Sequence, residues 1–195
     1  MSGSGRPGRW GWHRLDAEVA DRLVADAGLP AGALVLDVGA GDGVITERLV
    51  AAGCRVVAVE LHPGRAAHLR RRFAHRVTVV QTDATDLRLP RRPFHVVANP
   101  PFAVSTALLR RLLQPGTRLV SAHLVLQDQV ARRWASADAP GRRRWAATHD
   151  VRVGRRIARR RFSPPPRVDA RVLHLDARRT PHRTPHRTPR RPRRI

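Results

Sequence analysis

Residues 33 to 60 read "ALVLDVGAGDGVITERLVAAGCRVVAVE". A short apolar run, "ALVLDV" (33 to 38), meets a glycine turn, "GAGDG" (39 to 43). "VITERLVAAG" (44 to 53) follows as a helix that stops at Gly53, and "RVVAVE" (55 to 60) is a second apolar run. Runs that are apolar at nearly every residue suit strands covered on both faces, and strand, turn, helix, strand is the repeating unit of a parallel sheet. Glycines at such a turn let the backbone approach a ligand closely.

The same alternation continues outward. "PGRAAHLRRRF" (63 to 73) is predicted as a helix with Pro63 near its start, and "STALLRRLL" (105 to 113) and "QDQVARRWA" (127 to 135) as further helices. "RVTVVQ" (76 to 81), "FHVVAN" (94 to 99) and "RLVSAHLVLQ" (118 to 127) read as strands. Upstream, "LDAEVADRLVADAG" (15 to 28) sets Leu15, Val19, Leu23 and Val24 on one helical face and ends at Gly28. The pattern fades after about residue 137, where "ADAPGRRRW" reads as a loop. "RVLHL" (171 to 175) is the last strand, one arm of a hairpin with "THDVRVG" (148 to 154). The expected fold is α/β and Rossmann-like, a mostly parallel seven-stranded sheet with a C-terminal antiparallel hairpin, over residues 15 to 177. A basic N-terminal arm (1 to 14) precedes it. From 178 to 195 the chain reads "RRTPHRTPHRTPRRPRRI", which has no apolar face and is expected to be a disordered Arg/Pro-rich tail, either solubilising or RNA-gripping.

The charge is unusual. Basic residues number 38 against 15 acidic ones, a net charge of +23, and every cation is arginine. Arginine binds phosphate bidentately and stacks on bases, so a polyanion partner is expected, nucleic acid first and an anionic membrane surface second. The one cysteine, Cys54, allows no internal disulfide, fits a reducing cytoplasm and reads as a core thiol. No apolar run reaches 18 residues and the N-terminus has no apolar signal core, so neither a membrane-spanning helix nor a secretory signal is expected. His62, His68, His75, His95 and His149 show no metal-ligand spacing, and no metal is expected.

In an open α/β sheet, ligands sit outside the carboxyl ends of the strands. The first such end carries Asp37, Gly39, Gly41 and Gly43, a turn that dinucleotide enzymes also share. The second ends in Glu60, placed to accept from two ribose hydroxyls. The third ends in "QTDATD", where Asp83 can accept from an adenine amine. A ribose and an adenine without a pyrophosphate suit S-adenosylmethionine. Gly39, Ala40, Gly41, Glu60, Leu61, Asp83, Ala84 and Asn99 form the expected cofactor set; in the alternative, Asp37 and Asp83 are only helix caps. Asp42 and Asp86 read as surface residues.

The fourth strand ends in Asn99-Pro100-Pro101-Phe102, either a rigid turn or a catalytic loop. An exocyclic amine is a poor nucleophile because its lone pair is delocalised into the ring. The Asn99 oxygen and the Pro100 carbonyl can accept its two hydrogens and aim the lone pair at a sulfonium methyl. The two prolines fix the carbonyl directions, and Phe102 can stack on the base. Catalysis by positioning needs no strong base, but the base must leave its helix to enter.

"DVGAGDG", "AVELHP", "TDATD", "NPPF" and "FSPPPRVD" (162 to 169) occur in this order. Together they resemble the erythromycin-resistance rRNA adenine-N6 methyltransferases, sisters of the ribosomal RNA adenine dimethylases, over about residues 9 to 176. The last motif is the specific one. The resemblance implies an enzyme that methylates N6 of an adenine in the peptidyl-transferase loop of 23S rRNA and so confers resistance to macrolides, lincosamides and streptogramin B. It also implies that Phe162 is a second stacking ring beside the site, or else core. Arg142, Arg143, Arg144, Arg155, Arg156, Arg159, Arg160 and Arg161 are the expected phosphate contacts, or else a solvated surface. Two departures stand out. Where the family carries Gln-Asn-Phe-Leu before its first helix, this chain reads "GWHR", so no cofactor contact is carried over to Trp12, His13 or Arg14. "RWGWHRL" resembles the short actinobacterial, mycobacterial-type members, and only the Arg/Pro tail follows residue 176 in place of a C-terminal helical domain. In the short members this goes with a looser choice among neighbouring adenines. A monomer is expected. The alternatives are a small-subunit rRNA adenine dimethylase and a non-catalytic RNA-binding module on a methylase fold.

Overall fold

The computed structural model describes residues 13–178. The chain opens with a two-residue strand, β1 (Arg14–Leu15), and α1 (Ala17–Asp26). There follow β2 (Leu34–Val38), α2 (Val44–Ala51), β3 (Arg55–Val59), α3 (Pro63–Phe73) and β4 (Val77–Val80). The second half runs β5 (Phe94–Ala98), α4 (Ser105–Leu112), β6 (Leu119–Gln127), α5 (Asp128–Ala135) and α6 (Arg142–Trp145). It closes with β7 (His149–Ile157), β8 (Phe162–Ser163) and β9 (Ala170–Ala177).

Seven strands form one sheet in the order β4-β3-β2-β5-β6-β9-β7. The first five are parallel; β9 lies antiparallel between β6 and β7. Apolar side chains alternate between two buried clusters, as period-2 strands covered on both faces require. Leu23, Ile45, Leu49, Leu69 and Phe73 of α1 to α3 cover one face, and Leu108, Leu109, Leu112, Trp134 and Trp145 of α4 to α6 the other. Cys54 is buried, as expected of a core thiol. The chain winds outward from β2 through β3 to β4, then crosses back to β5. This reversal opens a crevice outside the carboxyl ends of β2 and β5, where the glycine turn and Asn99 both emerge.

Two expectations need correction. Leu15 is not helical: it lies in β1, and Asp16 caps α1 by accepting from the amides of Glu18 (3.0 Å) and Val19 (3.4 Å). The segment 137 to 145 is not all loop, because Arg142–Trp145 form a turn of helix pinned by the Trp145 indole N–H donating to the Pro140 carbonyl at 3.1 Å. The final strands pair antiparallel, as expected, and the connection between them carries a 3₁₀ turn (Arg159–Arg161) and β8, which pairs with β1. The tail and nearly all of the arm lie outside the described residues, while Arg14 already belongs to the folded domain.

Candidate active site

The glycine turn follows β2 and is tied to the end of β3. The Gly39 and Ala40 amides donate to the Val59 carbonyl (2.8 and 3.1 Å), and the Gly41 amide donates to Glu60 Oε2 at 2.9 Å. Glu60 Oε1 accepts from the His62 amide at 2.8 Å. Glu60 is 5% exposed and ties the glycine turn to the end of β3. Each of its oxygens keeps a second lone pair. Leu61, next in sequence, is 40% exposed and offers an open apolar surface at the strand end. Asp83 Oδ1 accepts from the amide and hydroxyl of Thr85, both at 2.8 Å, a turn-capping role that leaves Oδ2 for a ligand amine. Ala84 is buried behind it.

Gly39 has φ +77°, and a Cβ there would lie 2.8 Å from Pro101 Cδ and 3.3 Å from Pro100 Cα. The diproline thus packs directly on the glycine turn. Only a residue without a side chain lets the β2 and β5 tips come this close. Asn99 Nδ2 donates to the His13 carbonyl at 2.8 Å, and Oδ1 takes no hydrogen bond from any described residue. The amide is therefore held by its donor end, with its acceptor end left for a substrate. His13 makes two more contacts. Its Nδ1 lies 2.8 Å from the Pro164 carbonyl, which can only accept, so Nδ1 carries the proton; its ring stands 5.9 Å from that of Phe102. Arg14 pairs with Asp42 at 2.5 Å, so the partly exposed Asp42 latches the N-terminal strand.

Asp37, the penultimate residue of β2, lies beneath the turn and is 1% exposed. Its Oδ2 accepts from the Thr46 hydroxyl at 2.6 Å, while Oδ1 is buried with no partner among the described residues. Burial pushes its carboxyl up to about 7, against the Thr46 hydrogen bonds that favour the anion. A narrow recess lined by His13, Asp37, Gly39, Ala40 and Asn99 opens on it. An orphaned carboxylate oxygen there asks for a cationic donor. The amino-acid ammonium of S-adenosylmethionine is one, and its ribose and adenine match Glu60 and Asp83. The residues present fit that cofactor.

The remaining expected residues are not all brought together. Arg159 and Arg160 follow β7 at the same sheet edge as Asn99, are exposed, and their side chains form no ion pair among the described residues. Arg155, Arg156 and Arg161 are paired instead, with Asp26, Asp169, and Asp16 and Glu18 respectively. Arg142, Arg143 and Arg144 stand at the opposite edge. Helix α5 leaves the carboxyl end of β6 and carries the chain back to the start of β7, whose His149 pairs with Ala177, level with the amino end of β6. Phe162 is also corrected. It is 3% exposed, paired with Leu15, and packed in the core with Ile157 and Ala170, so its ring is not offered to a base. The residue missed is His13. It acts on Asn99 through its backbone carbonyl, which no residue type announces; the only signal in the sequence was the unusual "GWHR".

These features define the class: a Rossmann-like S-adenosylmethionine-dependent methyltransferase fold with an Asn-Pro-Pro-Phe loop beside its cofactor cradle. Within it, the chain belongs to the ribosomal RNA adenine dimethylase family, which matches residues 14–187. It is 36% identical over 170 residues to the mycinamicin-resistance protein MyrB of Micromonospora griseorubida, covering 86% of this chain and 54% of that protein. It is also 36% identical over 181 residues to ribosomal RNA small subunit methyltransferase A of Leifsonia xyli, covering 85% and 64%. The crystal structure of the 23S rRNA methyltransferase ErmE superposes with a TM-score of 0.77 at 26% identity, covering 85% of this chain and 70% of that one. The chain thus spans a little over half to about two thirds of the length of these curated relatives.

Proposed function

We propose that the chain transfers a methyl group from S-adenosylmethionine to N6 of an adenine in the peptidyl-transferase loop of 23S rRNA, and thereby confers macrolide, lincosamide and streptogramin B resistance. The observation that carries this is the Asn99 amide, clamped by its nitrogen on the His13 carbonyl and free at its oxygen, directly against the glycine turn. Similarity to a mycinamicin-resistance protein and to ErmE supports the choice of RNA and of phenotype. The chain acts as a cytoplasmic monomer in this proposal; among the described residues no helix is long and apolar enough to cross a membrane.

When bound, the cofactor supplies an electrophilic methyl on a sulfonium. The chain does the rest. Asp37 receives the ligand ammonium, Glu60 the ribose hydroxyls and Asp83 the adenine amine. Asn99 Oδ1 and the Pro100 carbonyl accept the two hydrogens of the target amine, which turns its lone pair out of the ring. Phe102 supports the extruded base. The methylated nitrogen is acidic and loses its proton to water, so no base is required, and the rate comes from positioning.

Primer extension with mass spectrometry on ribosomal RNA from cells expressing the chain tests this. A methylated adenine in the peptidyl-transferase loop, with a raised macrolide tolerance, is expected. Modification of 16S rRNA alone would instead assign it to the small subunit, and unmodified RNA of both kinds would overturn the activity. In the same assay Asn99→Ala is expected to lower transfer by roughly 10²-fold or more, while cofactor affinity stays within about tenfold, a change of ~1.4 kcal/mol.

A further inference from the structure

A second concavity, of about 520 Å³, opens at the carboxyl ends of β6 and β7 and is lined by Gln127, Gln129, Arg159, Arg167 and Val168 among others. Its floor is made where β6 ends, β9 begins and β7 ends. Gln127 pairs with Ala170, Ala170 pairs with Ile157, and the Asp128 amide donates to the Asp169 carbonyl at 3.1 Å. This is the carboxyl edge that also carries Asn99. Ala98 is level with Leu124 on the neighbouring strand, so Gln127 stands one strand over and two residues beyond Asn99. With strands about 4.8 Å apart and a rise of about 3.3 Å per residue, that offset is on the order of 8 Å. It is the reach of one nucleotide.

The lining is sorted into tied and untied groups. Asp128 is held by Arg171 (2.5 Å) and Arg132 (2.8 Å). Asp169 is held by Arg156 (2.5 Å) and by the Arg159 amide (2.7 Å), which fixes the loop that ends the "FSPPPRVD" stretch. Both carboxylates are therefore neutralised from within the fold. The Arg159 and Arg167 guanidinium groups make no ion pair, and the Gln127 and Gln129 side chains no hydrogen bond, with any described residue. Val168 is 47% exposed and gives the cavity an apolar wall. Untied cations match a phosphate, untied amides match the edge of an unstacked base, and the apolar wall matches its face.

We infer that this cavity is a subsite for the nucleotide adjoining the target adenine, with Arg159 and Arg167 on its phosphate and Gln127 and Gln129 reading its base. The inference rests on the proposed RNA methylation and gives it a source of sequence preference outside the catalytic loop. It also assigns Asp169 a task as the tie that holds the Arg159 backbone at the cavity rim.

The test uses the full chain and an RNA hairpin carrying the target adenine, with 4-thiouridine or an abasic nucleotide placed on either side of it. One flank is expected to crosslink to the peptide containing Val168, and an abasic nucleotide at that flank is expected to lower kcat/KM about tenfold. Gln127→Ala is expected to erase the preference among the four bases at that flank without adding to the abasic loss. Arg167→Ala is expected to raise KM severalfold for every flanking base, with kcat unchanged. Methylation that proceeds with neither a crosslink to that peptide nor an abasic effect would overturn the subsite and leave the RNA methylation standing. A hairpin that is neither crosslinked nor methylated, while no other RNA adenine is modified, would overturn both.

Discussion

At the residue scale the site turns on two side chains with atoms left over. Asn99 is useful because the His13 carbonyl occupies its nitrogen, and His13 is itself held by the Pro164 carbonyl. Any residue at 13 supplies a backbone carbonyl, but its placement depends on the ring's bond to Pro164. His13→Ala is therefore expected to lower kcat by about tenfold with cofactor affinity unchanged. His13→Asn, whose Nδ2 can reach where Nδ1 stands, should restore most of the rate. A restored rate in His13→Phe but not in His13→Asn would place the effect in the ring contact with Phe102. Asp37 gives a pH signature. Its carboxyl is raised from 3.8 to about 7 by burial, so the folded protein holds a proton that the unfolded chain releases. Stability from this group is complete below about pH 4 and declines as pH climbs through about 7. A cationic ligand reverses the balance by favouring the carboxylate. Cofactor binding at pH 6 should then expel close to one proton, visible as a buffer-dependent calorimetric enthalpy, and Asp37→Asn should abolish that release. A binding enthalpy independent of the buffer would remove Asp37 from the cofactor contact.

At the element scale the weak point is the join between β7 and β9. Gly154 lies where the register slips between Val153 and Arg156, and a Cβ there would come within 2.1 Å of His174 Nε2. That ring has little freedom to move: it is buried, its Nδ1 lies 3.2 Å from Nδ1 of His123, and the two rings meet edge to face. Gly154→Ala is expected to cost about 3 kcal/mol, as overpacking of a filled core does, and to lower Tm by roughly 6–12 °C. A Tm within a degree or two of the parent would mean that β7 yields freely at its bulge. The central strands were legible from sequence because β2, β3, β5 and β6 are covered on both faces along most of their length and so apolar at most positions. Their tips were legible because Gly39, Glu60, Asp83 and Asn99 are residue types that a strand interior rejects. The clasp of β1 with β8 was not legible, since two-residue strands have no periodicity to detect. Phe162 misled for a related reason: an aromatic ring before "SPPPR" reads alike whether it faces the core or a ligand, and only its pairing with Leu15 decides.

At the scale of the whole molecule the question is where a net charge of +23 is usable. Arginines that pair with Asp or Glu have their charge neutralised inside the fold; among those that form no ion pair, two clusters stand at opposite edges of the sheet. Arg159, Arg160 and Arg167 sit at the carboxyl edge with Asn99. Arg142, Arg143 and Arg144 precede β7 at the amino edge, and the nine residues of β6 set the two edges roughly 30 Å apart. Sequence alone could not separate the groups, because the runs "GRRRW" and "ARRRF" look alike and only the return of α5 sends one of them to the far edge. The separation makes a prediction that depends on RNA length. Removing one phosphate-binding cation should reduce the slope of log affinity against log salt by about 0.7–0.9. Replacing Arg159 and Arg160 with alanine is expected to reduce that slope by close to twice this step, on a short hairpin and on a long rRNA fragment alike. Replacing Arg142, Arg143 and Arg144 should leave the short hairpin's affinity and slope nearly unchanged and weaken only the long fragment, which can reach both edges. Equal slope reductions from the two sets on the short hairpin would require the α6 arginines to lie beside the target adenine, against their position in the fold.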